Sequence, residues 1–466
     1  MNSIKIFLNT SLIIALGLFA TSCGDDNNTT VAPGPTTPTT SFVGGVYAMA
    51  NGNGQIDGNV QDDNWIAAYG RNADGTLELI ERVPTNGRGG DFDGGEGLDP
   101  LISAYAITKT DDNQFVLAVN AGSNTISALT IDDDFGLTLT STQGTNGIGP
   151  NSIAHSSLLG PDGVNGLVYV SNITQEEFLA GGEPAHQGSL MGFWLLDDGT
   201  LAPIEGSWRA LANRPSAVQI SPDGNFLVVS SINSGSSALA TNDQNEIVVY
   251  QVNQDGTLSN DILSGATSTF REDGTGRNGG RNLPSAIGFQ IISDNFVVVT
   301  EAREFQPDGT PPAFPALQDG SVSTWQIMPN GDLRAINLDV ASGTNNTGRT
   351  ACWLDFNEDE SAFFVSNAIE AGLASYSFDN GEIQLLDQVA AQGVGATGNT
   401  TDPASAFGTT QGWIDLWISD DGQYLYQLYG LTGTVGVFQI NDTSLDLVEE
   451  VTGVLPANNT QGIVAF

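Results

Sequence analysis

A short phrase recurs along this chain, and its spacing constrains the fold more than any other feature. Its clearest copy starts at Arg214 as R-P-S-A-V-Q-I-S-P-D-G-N-F-L-V-V-S-S and continues from Glu246 as E-I-V-V-Y-Q-V-N-Q-D-G-T-L. One copy therefore predicts four strands, in which Asp-Gly turns join the first to the second and the third to the fourth. Four-stranded units repeated at this period are typical of β-propeller blades.

Seven such units account for the chain after residue 41. Six begin near Ile102, Asn151, Arg214, Pro284, Arg349 and Gly412. The seventh is divided, because three strands near the N-terminus lack a first strand that Gln461–Phe466 can supply. We predict an all-β, seven-bladed propeller over residues 42–466, closed where the C-terminal strand pairs with the N-terminal blade. Ile463, Val464 and Phe466 are expected to be largely buried at this joint.

Short and long connections alternate, and the long ones are expected to share one face. Links such as S-P-D-G-N and Q-D-G-T are explained by turn chemistry alone. The insertions fall on the other set of links, at 51–64, 85–100, 171–188, 231–245, 266–284, 301–320 and 391–412. Long loops concentrate where function does. That set also holds eight of the 13 Lys and Arg residues, namely Arg88, Arg209, Arg214, Arg271, Arg277, Arg281, Arg303 and Arg349.

These arginines suggest an anion site at the mouth of the central channel. Arg214 and Arg349 come just before innermost strands, and Arg281 lies close to another. A guanidinium group suits a carboxylate or phosphate, so the three are ligand-binding candidates. The alternative is that they neutralise loop carboxylates. Asp91, Asp93, Glu96 and Asp99 could instead bind calcium, although their spacing matches no EF-hand.

Other chemistry-bearing residues are sparse. The two histidines, His155 and His186, are far apart, and His155 lies where an inner strand should end. No nucleophile elbow, zinc-protease motif or phosphate loop occurs, so neither a cofactor nor a metal is predicted. Cys352 lies in the apolar run Ala351–Phe356 and is interpreted as a buried small hydrophobe without a disulfide.

The net charge limits the classes of molecule that this protein is expected to bind. The net charge is −41, although charged residues make up only 14% of the chain. Such a surface repels nucleic-acid phosphates and anionic lipid headgroups, which excludes nucleic-acid binding. This charge favours solubility, including in salty surroundings, and cation binding is the alternative interpretation.

The N-terminus predicts a targeting segment. Lys5 precedes a short apolar stretch, Ile6–Ala20, which ends in A-T-S-C at Cys23. This resembles a bacterial lipoprotein signal, so residues 1–22 would be removed and Cys23 lipidated; an ordinary secretory signal is the alternative. Residues 23–41 are rich in Thr, Pro and Asn and are expected to form a flexible tether. The protein would then lie in the cell envelope, on the periplasmic or outer side of the outer membrane, and touch membrane only through its lipid.

Several phrases resemble the lactonase-type seven-bladed propellers, which include 6-phosphogluconolactonase and carboxymuconate cycloisomerase-like proteins. They are F-V-L-A-V-N-A-G-S-N-T-I-S from Phe115, R-P-S-A-V-Q-I-S-P-D-G, V-V-T-E-A and T-A-C-W-L-D-F. The resemblance implies a histidine, two arginines and a glutamate around the channel mouth. In this chain those positions hold Asn151, Ser216 (two residues after Arg214), Pro284 (three after Arg281) and Ile232.

Three functional hypotheses follow. The first is binding of a small anionic ligand or a protein partner on the long-loop face. The second is an active lactonase or cycloisomerase on a carboxylated ring, with Glu301 or His155 moving the proton as the displaced catalytic group. The third is adhesion or scaffolding through the broad loop surface.

Overall fold

Antiparallel pairing of short strands accounts for almost all regular structure in the computed structural model. It describes residues 41–52, 63–91, 99–174, 188–232, 246–266, 283–305, 320–343, 350–368, 370–393 and 411–466. Within these ranges 29 strands form seven antiparallel sheets, and Ser41–Phe466 is one compact unit. The all-β, seven-bladed propeller is therefore confirmed.

Each sheet is one blade, and its strands run outward from the axis in chain order, except that blade 1 takes its inner strand from the C-terminus. Blade 1 contains β1 (Gly44–Met49), β2 (Asp63–Arg71) and β3 (Leu77–Arg88), with β29 (Ile463–Ala465) as its inner strand. Blade 2 contains β4 (Ile107–Lys109), β5 (Phe115–Asn120), β6 (Thr125–Ile131) and β7 (Leu137–Gly144). Blade 3 contains β8 (Ile148–Ser156), β9 (Val164–Thr174), β10 (Ser189–Leu196), β11 (Leu201–Pro203) and β12 (Arg209–Ala210). Blade 4 contains β13 (Arg214–Ile220), β14 (Phe226–Ile232), β15 (Glu246–Gln251) and β16 (Ser264–Ala266).

The remaining blades follow the same order. Blade 5 contains β17 (Leu283–Ile292), β18 (Phe296–Phe305), β19 (Ser321–Ile327) and β20 (Leu333–Ala341). Blade 6 contains β21 (Ala351–Phe356), β22 (Ala362–Asn367), β23 (Gly372–Asp379) and β24 (Glu382–Gln392). Blade 7 contains β25 (Trp413–Ile418), β26 (Tyr424–Tyr429), β27 (Thr434–Asn441) and β28 (Ser444–Val451). Among the described residues, two 3-10 helices occupy Ala121–Ser123 and Ser293–Asn295.

The C-terminal strand closes the ring as predicted. Strand β29 pairs antiparallel with β1, with Tyr47 opposite Val464. Ile463 and Val464 are buried, and Phe466 is partly buried with its ring centroid 5.5 Å from that of Phe135. The chain end runs so close to β1 that a side chain at Gly44 would collide with the Phe466 carbonyl. The first and last segments therefore belong to one sheet.

Strand burial explains the continuous apolar runs in the sequence. Strands β5, β22 and β26 are buried at every residue, because each has a neighbouring blade on both faces. Cys352 lies on β21, is 5% exposed and forms no disulfide. The core is thus a ring of layers between blades.

Outer strands share a feature that the repeat did not predict. In five blades, two consecutive residues of the third strand pair with outer-strand residues that are two apart. The outer-strand residue between them is Ile80, Thr140, Ile336, Leu386 or Val448. Such a bulge bends and twists an edge strand and so hinders edge-to-edge pairing with another molecule.

One expected strand differs from the prediction. The run I-S-A-Y-A-I from Ile102 was expected to be the inner strand of its blade, but β4 begins only at Ile107. Ile102 and Tyr105 adopt positive φ angles of 48° and 64°. Such angles are strained for a β-branched or bulky residue, and they turn residues 101–106 out of the sheet.

Candidate functional site

The strand order defines two faces of the disc. Inner strands begin on one face, as β13 does at Arg214, and this face carries the long connections. We name it the long-loop face. The inner strands end on the other, the short-loop face, where tight hairpins such as the one after Ile220 lead to the second strands.

Arg214 lies at the long-loop mouth of the channel. It is the first residue of β13 and is 4% exposed. Its Nη2 donates to the Leu101 carbonyl at 3.4 Å, across the gap between blades 4 and 2. The inner strand therefore positions a buried positive charge close to the axis.

Glu301 lies on the same face in the adjacent blade. It is 1% exposed on β18, opposite Ala286 of the inner strand, and the Ser321 hydroxyl donates to its carboxylate. Ser216, two residues after Arg214, donates from Oγ to the Ala286 carbonyl at 2.8 Å. Arg214 and Glu301 thus belong to neighbouring blades at a similar depth.

The other arginine candidates either lie outside the described residues or lie away from the channel mouth. Arg281 and Arg349 lie outside the described residues, as do Cys23, His186, Asp93 and Glu96. Arg88 is exposed, and Arg209 donates four hydrogen bonds to backbone carbonyls, including that of Ser259 at 3.1 Å. Among the described residues, no group of three or more His, Cys, Asp or Glu side chains is arranged to hold a metal.

The residues at the family's catalytic positions have structural contacts in this chain. Asn151 is fully buried, donates from Nδ2 to the Pro215 carbonyl at 2.9 Å and accepts from Ser171 at 2.8 Å. The Ser216 hydroxyl forms a hydrogen bond with the Ser230 hydroxyl at 2.8 Å. Ile232 and Pro284 pair in their sheets with Arg214 and Glu304. Asn151 and Ser216 thus contact the next blade, whereas Ile232 and Pro284 pair within their own sheets.

A plug fills the channel between the two faces. We give this name to Leu101–Ala106, the segment that turns away from β4. The Ser103 carbonyl accepts from Trp353 Nε1 at 2.9 Å and from Gln461 Nε2 at 3.1 Å. The Ala104 amide donates to Ser216 at 3.0 Å.

Tyr105 completes the plug. Its hydroxyl donates to the Phe289 carbonyl at 2.8 Å, its own carbonyl accepts from the Ile153 amide, and its ring meets Trp417 edge-on. Through these contacts the plug touches all six other blades. It separates the two mouths of the channel.

His155 lies on the short-loop face, on the far side of the plug from Arg214 and Glu301. It is near the end of β8, as expected, and faces a cavity of about 400 Å³ that Tyr105 and Trp417 also line. Burial lowers the pKa of His155, and the carboxylates of Asp111 and Asp112 oppose this only in part. Neither ring nitrogen forms a hydrogen bond of normal geometry with a described residue, and Nε2 packs against the backbone at Gly166.

Two buried carboxyls near the axis were not singled out from sequence. Asp415 accepts from the Gly462 amide at 2.8 Å and from Gln461 Nε2 at 3.0 Å, so it joins blade 7 to the closing strand. Asp355 accepts from the Ile418 amide at 2.7 Å and from Gln290 Nε2 at 3.1 Å. Burial raises the pKa of Asp415 to about 7 and that of Asp355 to about 6, against the opposing effect of these hydrogen bonds.

Comparison with known proteins supports the fold. No protein-family model matches the sequence, and no curated protein matches it significantly. Among solved structures, a candidate 6-phosphogluconolactonase of Bacteroides uniformis has a TM-score of 0.54 and 15% identity, covering 91% of this chain and 99% of that one. One of Bacteroides fragilis has a TM-score of 0.51 and 16% identity, covering 93% and 99%. A hypothetical selenium-binding protein from Sulfolobus tokodaii has a TM-score of 0.55 and 13% identity, covering 91% and 93%.

These likenesses define a class of fold. The structure is a seven-bladed propeller similar to candidate 6-phosphogluconolactonases, and the resemblance predicted from sequence is confirmed at that level. Identities this low do not transfer an activity, because one fold hosts many functions. In the described part of the chain, no helix is long and apolar enough to cross a bilayer.

Proposed function

We propose that this lactonase-like propeller binds a small carboxylated or phosphorylated molecule at the long-loop mouth of its channel. The supporting observation is the buried guanidinium of Arg214 at the start of an inner strand. In a protein of net charge −41, an anion has few favourable sites, and a local positive charge near the axis is one of them. Sugar acids are the favoured class, since candidate 6-phosphogluconolactonases share this fold.

A binding measurement tests the proposal. Gluconate, 6-phosphogluconate and uncharged glucose would be titrated into the full chain and followed by calorimetry. Arg214→Gln should weaken binding of the anions by about tenfold or more, which is the scale of one charge-assisted contact. Arg88→Gln, a matched change on the same face, should leave it unchanged. Equal binding by wild type and Arg214→Gln would reject the site.

Lactone hydrolysis is the second candidate, favoured by the position of Glu301. A buried carboxyl on the same face as Arg214 could transfer a proton while the arginine holds the anionic end of the substrate. Release of acid from gluconolactone and 6-phosphogluconolactone would be followed by a pH-stat. Glu301→Gln should abolish turnover but retain binding of the acid product. If the wild-type protein hydrolyses the lactones no faster than they hydrolyse spontaneously, the enzyme hypothesis is rejected and ligand binding stays as the proposed function.

The same proposal locates the protein in the cell envelope, anchored by lipid on Cys23. It is supported by the apolar stretch before A-T-S-C and the polar residues after it. Labelling cells with an alkyne fatty acid should mark the wild-type chain in the membrane fraction. Cys23→Ser should remove the label and release the protein from that fraction, whereas Cys352→Ser should change neither.

A further inference from the structure

The short-loop mouth of the channel holds the cavity that His155 lines. Its volume of about 400 Å³ lies within the range of small-molecule sites. Residues from five blades line it, among them Asp111, His155, Gln219, Gln290 and Trp417. Tyr105 forms its floor and is fixed by the hydrogen bond to Phe289 on the opposite side of the axis. The plug therefore separates this cavity from the Arg214 site.

The polar groups around the cavity are held in place by the blades. Gln219 Oε1 accepts from the Ile291 amide at 2.8 Å, and Gln290 Nε2 donates to Asp355 at 3.1 Å. Asp111 accepts from the Ser157 hydroxyl at 2.7 Å at the rim. Side chains fixed in this way need little further ordering when a ligand binds.

The described residues of the lining include no lysine or arginine. Every one of its residues is apolar, aromatic, neutral polar or acidic. The nearby Lys109 points to Asp420, with a nitrogen to oxygen distance of 3.0 Å. An anion would therefore meet Asp111 without compensation, so the cavity selects against the ligands proposed for the other face.

Aromatic and amide groups together suit a neutral ligand. Trp417 is partly exposed, and its ring lies edge-on to Tyr105 at 6.5 Å between centroids. An exposed aromatic surface packs against the C–H groups of a ring, while amides and hydroxyls exchange hydrogen bonds with its substituents. His155 adds no charge near neutral pH, because burial lowers its pKa.

We propose that this cavity is a second binding site, for an uncharged hydroxyl-rich molecule of saccharide size. It is independent of the site on the long-loop face. The carboxylate of Asp111 accepts from sugar hydroxyls at the rim, and Trp417 forms the apolar wall.

Ligand-detected NMR on the full chain tests this site. The probes are glucose, N-acetylglucosamine and maltose as neutral sugars, glucuronate as an anion and choline as a cation. At least one neutral sugar should bind about tenfold more tightly than glucuronate or choline. Trp417→Phe keeps an aromatic ring but reduces the area of the apolar wall, and it should weaken sugar binding about threefold or more.

Two further variants localise the binding. Leu158 is 60% exposed at the rim, and Leu158→Trp should block entry. Leu386→Trp makes the same change at a 46% exposed leucine on the outer strand of blade 6 and should have no effect. Arg214→Gln should likewise leave sugar binding intact. The site is rejected if no neutral sugar binds, if choline binds best, or if Leu158→Trp leaves binding unchanged.

Discussion

Aspartates in the short hairpin turns stabilise those turns, and some of them also bind the next blade. Each accepts hydrogen bonds within its own turn, as Asp223 does from the Ser221 hydroxyl at 2.6 Å and the Asn225 amide at 3.0 Å. Three of them also bind a side chain of the next blade: Asp112 with Asn165 at 2.8 Å, Asp223 with Asn295 at 2.8 Å, and Asp421 with Arg71 at 2.9 Å. The repeated Asp therefore serves both turn formation and blade-to-blade contact.

We expect Asp223→Ala to destabilise the protein by about 1–2 kcal/mol, the range for hydrogen bonds to a charged group after screening by solvent. Asp255 is the matched control, because its hydrogen bonds are only to Thr257 in its own turn. Asp255→Ala should have a smaller effect in urea unfolding at pH 7. Equal effects of the two changes would show that Asn295 contributes nothing.

Low pH should remove the stabilisation that Asp223 gives to the folded protein. Burial alone would raise its pKa, but hydrogen bonds from Ser221, Asn295 and Asn225 outweigh burial and lower the pKa to about 2. Because the folded pKa lies below the unfolded value of 3.8, the stabilisation is complete above pH 4 and declines as the pH falls toward 2. The difference in unfolding free energy between wild type and Asp223→Ala should shrink over that interval.

Ionisation of Asp415 should give the unfolding free energy the opposite dependence on pH. Its folded pKa of about 7 lies above the unfolded value of 3.8, so the wild type loses stability as the pH rises from 4 to 7. Asp415→Asn keeps an acceptor for Gly462 and cannot ionise. Its unfolding free energy relative to wild type should increase over this interval, by at most about 1.4 kcal/mol per unit of pKa difference, and level off above pH 7. A difference that does not change with pH would contradict this assignment.

The roles of some of these residues could be predicted from the sequence, and those of others could not. Asp223 was explained from its S-P-D-G turn, but its contact with Asn295 depends on a residue 72 positions away. Asp415 stands in an apolar strand with no motif around it, and its role appears only once the ring closes against Gly462. Arg214 was selected from its position just before an inner strand, and Glu301 from the V-V-T-E-A phrase of the family resemblance. The separation of His155 from both depends on the direction of β8. Sequence patterns thus identify the turns and strands, whereas the roles of individual side chains depend on contacts between blades.

At the scale of elements, the plug shows where strand patterning fails. Alternation in I-S-A-Y-A-I favours a strand, but Ser103, Ala104 and Tyr105 make hydrogen bonds with other blades, whereas Ala106 accepts from the Val119 amide of its own sheet. Contacts to Trp353, Gln461 and Phe289 hold the positive φ angles of Ile102 and Tyr105. Such tertiary contacts cannot be inferred from a local window of sequence.

Tyr105→Phe tests how much the plug stabilises the ring. It removes the donor to the Phe289 carbonyl inside the channel, and we expect a loss of about 1 kcal/mol or more in unfolding free energy. Tyr424→Phe is the control, since that hydroxyl makes only a 3.4 Å contact with the Ala73 carbonyl. If both variants unfold at the same urea concentration as wild type, the plug fills space without stabilising the ring.

At the scale of the whole molecule, closure and the asymmetry of the two faces were both predictable. Every long insertion follows an even number of strands from the start of a blade, so antiparallel order alone sends it to one face. The closing pair followed from a blade that lacked its first strand and a chain end that lacked a sheet. The plug and the cavity on the short-loop face were not predictable, because both depend on which side chains meet at the axis.

Ring closure yields the strongest test of the architecture. Deleting Gln461–Phe466 removes Ile463 and Val464 from the core and the partners of Asp415. At about 1.5–3 kcal/mol per buried side chain, the loss approaches the total stability of a typical domain, about 5–15 kcal/mol. The truncated chain should unfold or aggregate at 25 °C by circular dichroism and light scattering, whereas removal of Phe466 alone, which leaves β29 paired, should only lower the melting temperature.

A circular permutant separates pairing from chain connectivity. The Phe466 amide donates to the Gly45 carbonyl at 3.1 Å, so a short glycine linker can join Phe466 to Ser41. New ends between the exposed Thr452 and Gly453, with residues 1–40 moved ahead of Gly453, leave every sheet intact. This permutant should melt close to the wild type, because blade 1 then has its four strands in consecutive order. A folded truncation, or an unfolded permutant, would mean that the hexapeptide does not complete the sheet.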